Sequence, residues 1–147
     1  MPRKILFVCM YNAGRSPFAE YAMRQALDER GIEGVEVYSA GLSEGTRESL
    51  PAPSPVLEAS MKLGVNVAGH RRKRLTEEMV KRANEIYVFE REHQRQIQAA
   101  YPEAEWKVYV LREIQDLKGT PVETHVKHLR EIRDAVEELV EKEIAAG

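Results

Sequence analysis

The chain has one cysteine, one tryptophan and three phenylalanines among its 147 residues. A single cysteine excludes an intrachain disulfide and any relay that passes oxidation through several thiols of one chain. No apolar run approaches the ~20 residues of a membrane-spanning helix, so no membrane is expected as a partner. The segment Met1-Pro2-Arg3-Lys4 leads into a strand-like run without a signal-peptide cleavage pattern, and with the lone thiol this points to the cytoplasm. Charge of one sign is also lacking. With 22 Lys and Arg against 24 Asp and Glu, the formal net charge is -2, which argues against a nucleic-acid partner held by bulk electrostatics. Internal repeats, low-complexity tracts and linkers are absent.

What remains is the composition of a soluble globular protein, 43% hydrophobic and 31% charged. Residues 1–147 are expected to form one domain with a core of its own. Four short apolar runs read as strands: Lys4 to Val8, Val35 to Ser39, Glu85 to Phe89 and Lys107 to Leu111. Helix-spaced, mostly apolar residues lie between them (Ala19, Ala22, Met23, Ala26 and Leu27; Val56, Leu57, Ser60, Met61 and Leu63), with Gly31 and Gly64 as stops. Thr76-Glu77-Glu78 opens another helix and Glu90 to Ala100 a fourth. A final stripe, Val122, Val126, Leu129, Ile132, Val136, Leu139 and Val140, reads as a helix packed on a sheet. Strands alternating with helices predict an α/β protein: one three-layer domain, a four-stranded parallel sheet with helices on both faces. Ligands of such sheets bind beyond the carboxyl ends of the strands. The Ser-, Gly-, Glu- and Pro-rich stretch from Leu42 to Pro55 reads as a long surface loop at that edge.

The lone cysteine lies at such an end. Cys9-Met10-Tyr11-Asn12-Ala13-Gly14-Arg15-Ser16 follows Ile5-Leu6-Phe7-Val8 directly, and Ser16-Pro17 opens the first helix. Backbone N–H groups of residues 10–16 and a helix N-terminus favour an oxyanion. Gly14 lets the amides turn toward it, and Arg15 can grip two oxygens at once. The positive surroundings should lower the Cys9 thiol from about 8.5 into the roughly 3.5–7.5 range of activated cysteines. Ser16 is placed to hydrogen-bond the resulting thiolate and ease its later departure. A strand, a cysteine, five residues and Arg-Ser before a helix thus describe phosphate bound over a nucleophile. The bland reading, a buried cysteine and a surface arginine, does not account for the whole pattern.

A leaving alkoxide or phenoxide needs a proton. Asp116, after the fourth strand in Ile114-Gln115-Asp116-Leu117-Lys118-Gly119, suits a general acid that later activates water. By position alone it equally suits a turn former. The run Arg71-Arg72-Lys73-Arg74 reads as a solvated face.

The segment Val8-Cys9-Met10-Tyr11-Asn12-Ala13-Gly14-Arg15-Ser16-Pro17 resembles the signature of the low-molecular-weight protein-tyrosine phosphatases, and the likeness extends over nearly the whole chain. Ser39-Ala40-Gly41 is similar to the motif after that family's second strand. His70 falls where the family has a buried histidine, and Asp116 where it has the acid of an Asp-Pro motif. Val88-Phe89-Glu90 replaces its usual Met-Asp. The resemblance implies Cys9 as nucleophile, Arg15 as phosphate clamp and Asp116 as acid and base. Asn12, Ser16, Ser39 and His70 are implied as the network that holds the loop open. It also implies hydrolysis of a phosphorylated protein or small phosphomonoester through a cysteinyl phosphate, inorganic phosphate as product, and no metal or organic cofactor.

Three departures stand out. Gly14 occupies the place of a second cysteine, whose disulfide protects many relatives, so oxidised Cys9 would need an external thiol. Asp116-Leu117 replaces Asp-Pro, which suggests a looser acid loop. Aromatic walls are missing from Leu42–Pro55 and Leu117–Val122, which leaves Tyr11 to face a substrate ring. Two rivals remain: a single-cysteine arsenate reductase using an external thiol, disfavoured by Pro17 where such enzymes usually have Gln, and a non-catalytic phosphate-binding module, which would have no need of Cys9 and Asp116.

Overall fold

The computed structural model describes residues 2–145. Its sheet has four parallel strands, β1 (Arg3–Cys9), β2 (Val35–Gly41), β3 (Glu85–Val88) and β4 (Val108–Val110), in the order β2-β1-β3-β4. The helices are α1 (Arg15–Glu29), α2 (Ser54–Lys62), α3 (Glu77–Arg82), α4 (Arg91–Ala100) and α5 (Val122–Leu139). A 3-10 turn, Pro102–Lys107, precedes β4, and a π-helical turn, Val140–Ala145, extends α5. This is the expected three-layer architecture.

The two-residue period of β1 sorts its side chains between two cores. Ile5, Phe7 and Cys9 face a cluster with Phe18 and Met23 of α1, Val56 and Ala59 of α2, and Leu129, Ile132 and Val136 of α5. Leu6 and Val8 face the other way, onto Val80 of α3, Ile97 of α4, and Ile86 and Val88 of β3. Phe7, Phe18, Ile97 and Leu129 are fully buried, each contributing about 1.5–3 kcal/mol of transfer free energy. With both faces covered, β1 reads as an unbroken apolar run rather than an alternating one.

From β1 the chain winds one way to β2 and the other way to β3. The switch between β1 and β3 opens a crevice at the carboxyl ends of these strands. Cys9 ends β1 in register with Gly41, and Glu90 follows β3 by two residues.

Three local expectations change. Lys107 and Leu111 fall outside β4: Lys107 closes the 3-10 turn, where its Nζ donates to the Ala83 carbonyl at 2.6 Å. The α5 stripe shares one cluster with α1 and α2 as well as the sheet, so it packs beside helices rather than on strands alone. The basic run 71–74 is no plain solvated face. Arg72 and Lys73 are half-buried, and the Leu75 and Gly41 amides pair this segment to the end of β2.

Candidate active site

Residues 10–14 turn sharply between β1 and α1. Asn12 sits at the tightest point with φ 52°, a left-handed conformation that Asn tolerates better than most residues. Its side chain is fully buried and every contact of its amide fixes a direction. Asn12 Oδ1 accepts from the Lys73 N–H at 2.9 Å, so Nδ2 supplies both remaining bonds, to Ser16 Oγ and Ser39 Oγ at 2.9 Å each. Ser39 accepts from Asn12 and so donates onward to Glu20 Oε1 at 2.5 Å, a carboxylate that Arg24 also pairs. Ser16 accepts from Asn12 as well, which leaves its own proton for Cys9 Sγ, 2.9 Å away. The orientation of one buried amide thereby aims the Ser16 hydroxyl at the sulfur. His70 braces the same turn. Its Nε2 lies 2.8 Å from the Asn12 carbonyl, which can only accept, so the proton is on Nε2. Burial lowers the His70 pKa to about 4, keeping the ring neutral.

Arg15 opens α1 and is 4% exposed. Its Nη1 donates to Glu90 Oε2 at 2.7 Å and to the Ile114 carbonyl at 2.6 Å. Both Nη1 protons are spent there, so the Nε and Nη2 edge is the part left for a ligand. That edge has the fork geometry that holds two oxygens of a phosphate. Glu90 is also 3.4 Å from His93 Nε2, a buried ring whose Nδ1 has no partner. Burial holds the His93 pKa below its ordinary value.

The Ile114 contact brings the next loop in. Asp116 Oδ1 accepts from the Lys118 N–H at 3.0 Å, and Thr120 closes the turn onto the Leu117 carbonyl at 2.6 Å. Leu117, in place of the family's proline, is buried, and Gly119 takes φ +82°. The Asp116 and Thr120 side chains each close a hydrogen bond within this loop. His125 Nδ1 lies 3.1 Å from Thr120 Oγ1 and 3.0 Å from the Pro121 carbonyl, so it is the protonated nitrogen and Nε2 is the free one.

A cavity of about 420 Å³ joins these parts. Cys9, Tyr11, Ala13, Gly14, Arg15 and Asp116 line it, together with Arg47, Arg72, Lys118 and His125. The thiol, the guanidinium and the carboxylate named from the sequence therefore meet in one cleft. Asn12, Ser16, Ser39 and His70 stand behind it as a connected network. Met10 instead anchors the neighbouring loop, its carbonyl accepting from the Ser43 N–H at 2.9 Å. Two glycines make room. A Cβ on Gly41 would come within 2.3 Å of Thr46 Oγ1 and 3.0 Å of the Tyr11 carbonyl carbon, and one on Gly14 would meet Val56 Cγ2 at 3.3 Å.

Sequence reasoning left Glu90, Arg47, Arg72 and His125 without a role. Glu90 alone carried a signal, an acid directly after the third strand at the active edge. Among the described residues, no group of three or more His, Cys, Asp or Glu side chains is arranged to hold a metal ion.

This fold, with this loop at the switch point, defines the class as an α/β phosphatase. Residues 4–146 match the family model described as low molecular weight phosphotyrosine protein phosphatase, and the chain belongs to that family. It is 36% identical to "Probable low molecular weight protein-tyrosine-phosphatase EpsP" of Ralstonia solanacearum, over 78% of this chain and 74% of that protein. It is 32% identical to a protein-arginine-phosphatase of Geobacillus stearothermophilus, over 97% of this chain and 94% of the relative. Among solved structures, the low molecular weight protein tyrosine phosphatase from T. tengcongensis superposes with TM-score 0.88 at 30% identity, covering 95% of this chain and 99% of that one.

Proposed function

We propose that this protein hydrolyses phosphotyrosine in protein substrates through a cysteinyl phosphate, residues 1–147 acting as one catalytic domain in the cytoplasm. The observation that carries the reading is the shared cleft: Asp116 comes from a loop about 100 residues along the chain from Cys9 and Arg15, yet all three line one cavity. The phosphate lies in the loop of residues 10–16, gripped by the free edge of Arg15. Cys9 Sγ attacks phosphorus as the bond to the tyrosyl oxygen breaks, and Asp116 gives that oxygen its proton. Arg15 follows the charge on the equatorial oxygens. Asp116, now a carboxylate, takes a proton from water, the water oxygen attacks phosphorus, and the S–P bond breaks with its electrons returning to sulfur. Ser16 eases that departure by donating to Cys9. Inorganic phosphate leaves.

Relatives divide between phosphotyrosine and phosphoarginine. The cleft favours a neutral phenol over a cationic guanidine, because Arg47, Arg72 and Lys118 line it against the one carboxylate of Asp116. Tyr11, 41% exposed, and Pro53, Pro55 and Val56 offer a ring an apolar wall. Arsenate reduction is disfavoured by membership of a phosphatase family.

The test sets a phosphotyrosyl peptide, a phosphoarginyl peptide and arsenate with added thiol side by side, with wild type and Cys9→Ser. Phosphotyrosine turnover that disappears in Cys9→Ser is the expected result. Faster turnover of the phosphoarginyl peptide would overturn the substrate assignment.

A further inference from the structure

Arg47 and Arg72 line the same cavity as Cys9 and come from separate segments. Arg47 lies in the long loop after β2, and Arg72 in the basic run. Two backbone bonds tie the segments together, Arg72 N–H to the Leu50 carbonyl at 2.8 Å and Ser49 N–H to the Arg72 carbonyl at 2.9 Å. Arg72 is half-buried and aimed by its Nε, which donates to the Pro51 carbonyl at 3.1 Å. Its two terminal nitrogens make no further bond among the described residues.

Among those residues, neither guanidinium has a carboxylate partner. Glu44, in the same loop as Arg47, pairs with Arg74 instead. Burial and the charge of Arg47 both work against the charged form of Arg72. A chain whose formal charge is -2 therefore keeps two unpaired, mutually repelling cations in one cleft. An anion between them would relieve that repulsion.

The substrate phosphate is not that anion, since it belongs to the Cys9 loop and Arg15. The cavity, about 420 Å³, is of a size that holds drug-sized ligands and so exceeds a single phosphate. We propose that Arg47 and Arg72 form a second anionic subsite, which takes the carboxylate of an Asp or Glu flanking the phosphotyrosine of a protein substrate. This rests on the phosphotyrosine reading and adds to it a preference for acidic sequence context.

The experiment compares three phosphotyrosyl peptides that differ only in flanking residues, which are Glu, Gln or Lys. Wild type should show kcat/KM in the order Glu, Gln, Lys, with about a fivefold step between Glu and Gln that shrinks in high salt. In Arg47→Gln/Arg72→Gln the Glu and Gln peptides should become equal. Arg47→Glu, which leaves the Arg72–Pro51 contact in place, should shift preference toward the Lys peptide. Equal kcat/KM for the Glu and Gln peptides in wild type, or an undiminished step in the double variant, would overturn the subsite alone. Absence of turnover on all three peptides would overturn the phosphotyrosine reading with it.

Discussion

Arg15 and Glu90 are 75 positions apart in the chain and meet at 2.7 Å. The pair fixes how Arg15 can act. With Nη1 committed to Glu90 and the Ile114 carbonyl, the guanidinium is pinned on one side, and its Nε and Nη2 edge is the part left over. Glu90→Gln should keep a hydrogen-bond acceptor but remove the anion, lowering kcat/KM on para-nitrophenyl phosphate by about 10–100-fold, the scale of one charge-assisted bond. Glu90→Asp should recover only part, because the shorter side chain falls short of Nη1. Steady-state kinetics on both variants check this.

Asp116 lines the cleft, and its Oδ1 accepts from Lys118. Asparagine can keep that turn but cannot deliver a proton. Asp116→Asn should therefore depress turnover of phenyl phosphate, a poor leaving group, far more than that of para-nitrophenyl phosphate, whose phenolate hardly needs protonation. Equal losses on the two substrates would remove Asp116 from the acid role.

Ser39 joins Asn12 to Glu20 in the buried chain that aims Ser16 at Cys9. Ser39→Ala should cost about 1–3 kcal/mol in urea denaturation, the usual penalty of leaving buried partners unpaired. It should also slow breakdown of the phosphocysteine more than its formation, raising the pre-steady-state burst of nitrophenol. A loss of stability with unchanged burst amplitude would make the network purely architectural.

His70 supplies a pH dependence of stability. Its folded pKa, about 4, lies below the ordinary value of 6.5. Between these values the unfolded chain binds the extra proton, so stability is full above the higher pH and falls as pH drops toward 4. The total is about 3 kcal/mol for this one group. Chemical denaturation from pH 7 to 4 should show that slope, and His70→Gln should flatten it.

Gly41 leaves no space for a methyl group between Thr46 and the Tyr11 backbone. Gly41→Ala should push the loop of residues 10–14 off its position and raise KM for small phosphomonoesters. The companion change Thr46→Ser, which keeps the oxygen, should not rescue it, whereas Thr46→Ala, which removes the closest atom, should do so in part.

Local signals carried much of this arrangement. Cys9, Arg15 and Ser16 sit within eight residues, and their spacing after an apolar run names both strand end and loop. The β-branched runs, the glycine stops and the Thr76 cap likewise act over a few residues and appear where pattern placed them, apart from the two ends of the β4 run. What pattern could not reach depends on chain crossings. Glu90 meets Arg15 only because β1 and β3 are neighbours; its place after the third strand marks the active edge, but residues 85–93 do not name Arg15 as the partner. Arg72 looked like one more charge in a basic run, since its neighbours give no hint that the loop at 49–51 folds back over it. Asp116 lay between these cases, a turn former by its local residues and a cleft residue through the Ile114–Arg15 contact.

Gly14 has a further consequence. A backup thiol at this position would stand beside Cys9 in the same loop, but Val56 Cγ2 lies 3.3 Å from where its Cβ would be. Gly14→Cys therefore asks Val56 to give way by a few tenths of an ångström, and a peroxide-tolerant version of this enzyme is most directly reached by changing both positions, Gly14→Cys with Val56→Ala. With no second thiol among its residues, an oxidised Cys9 would depend on a soluble thiol for its recovery.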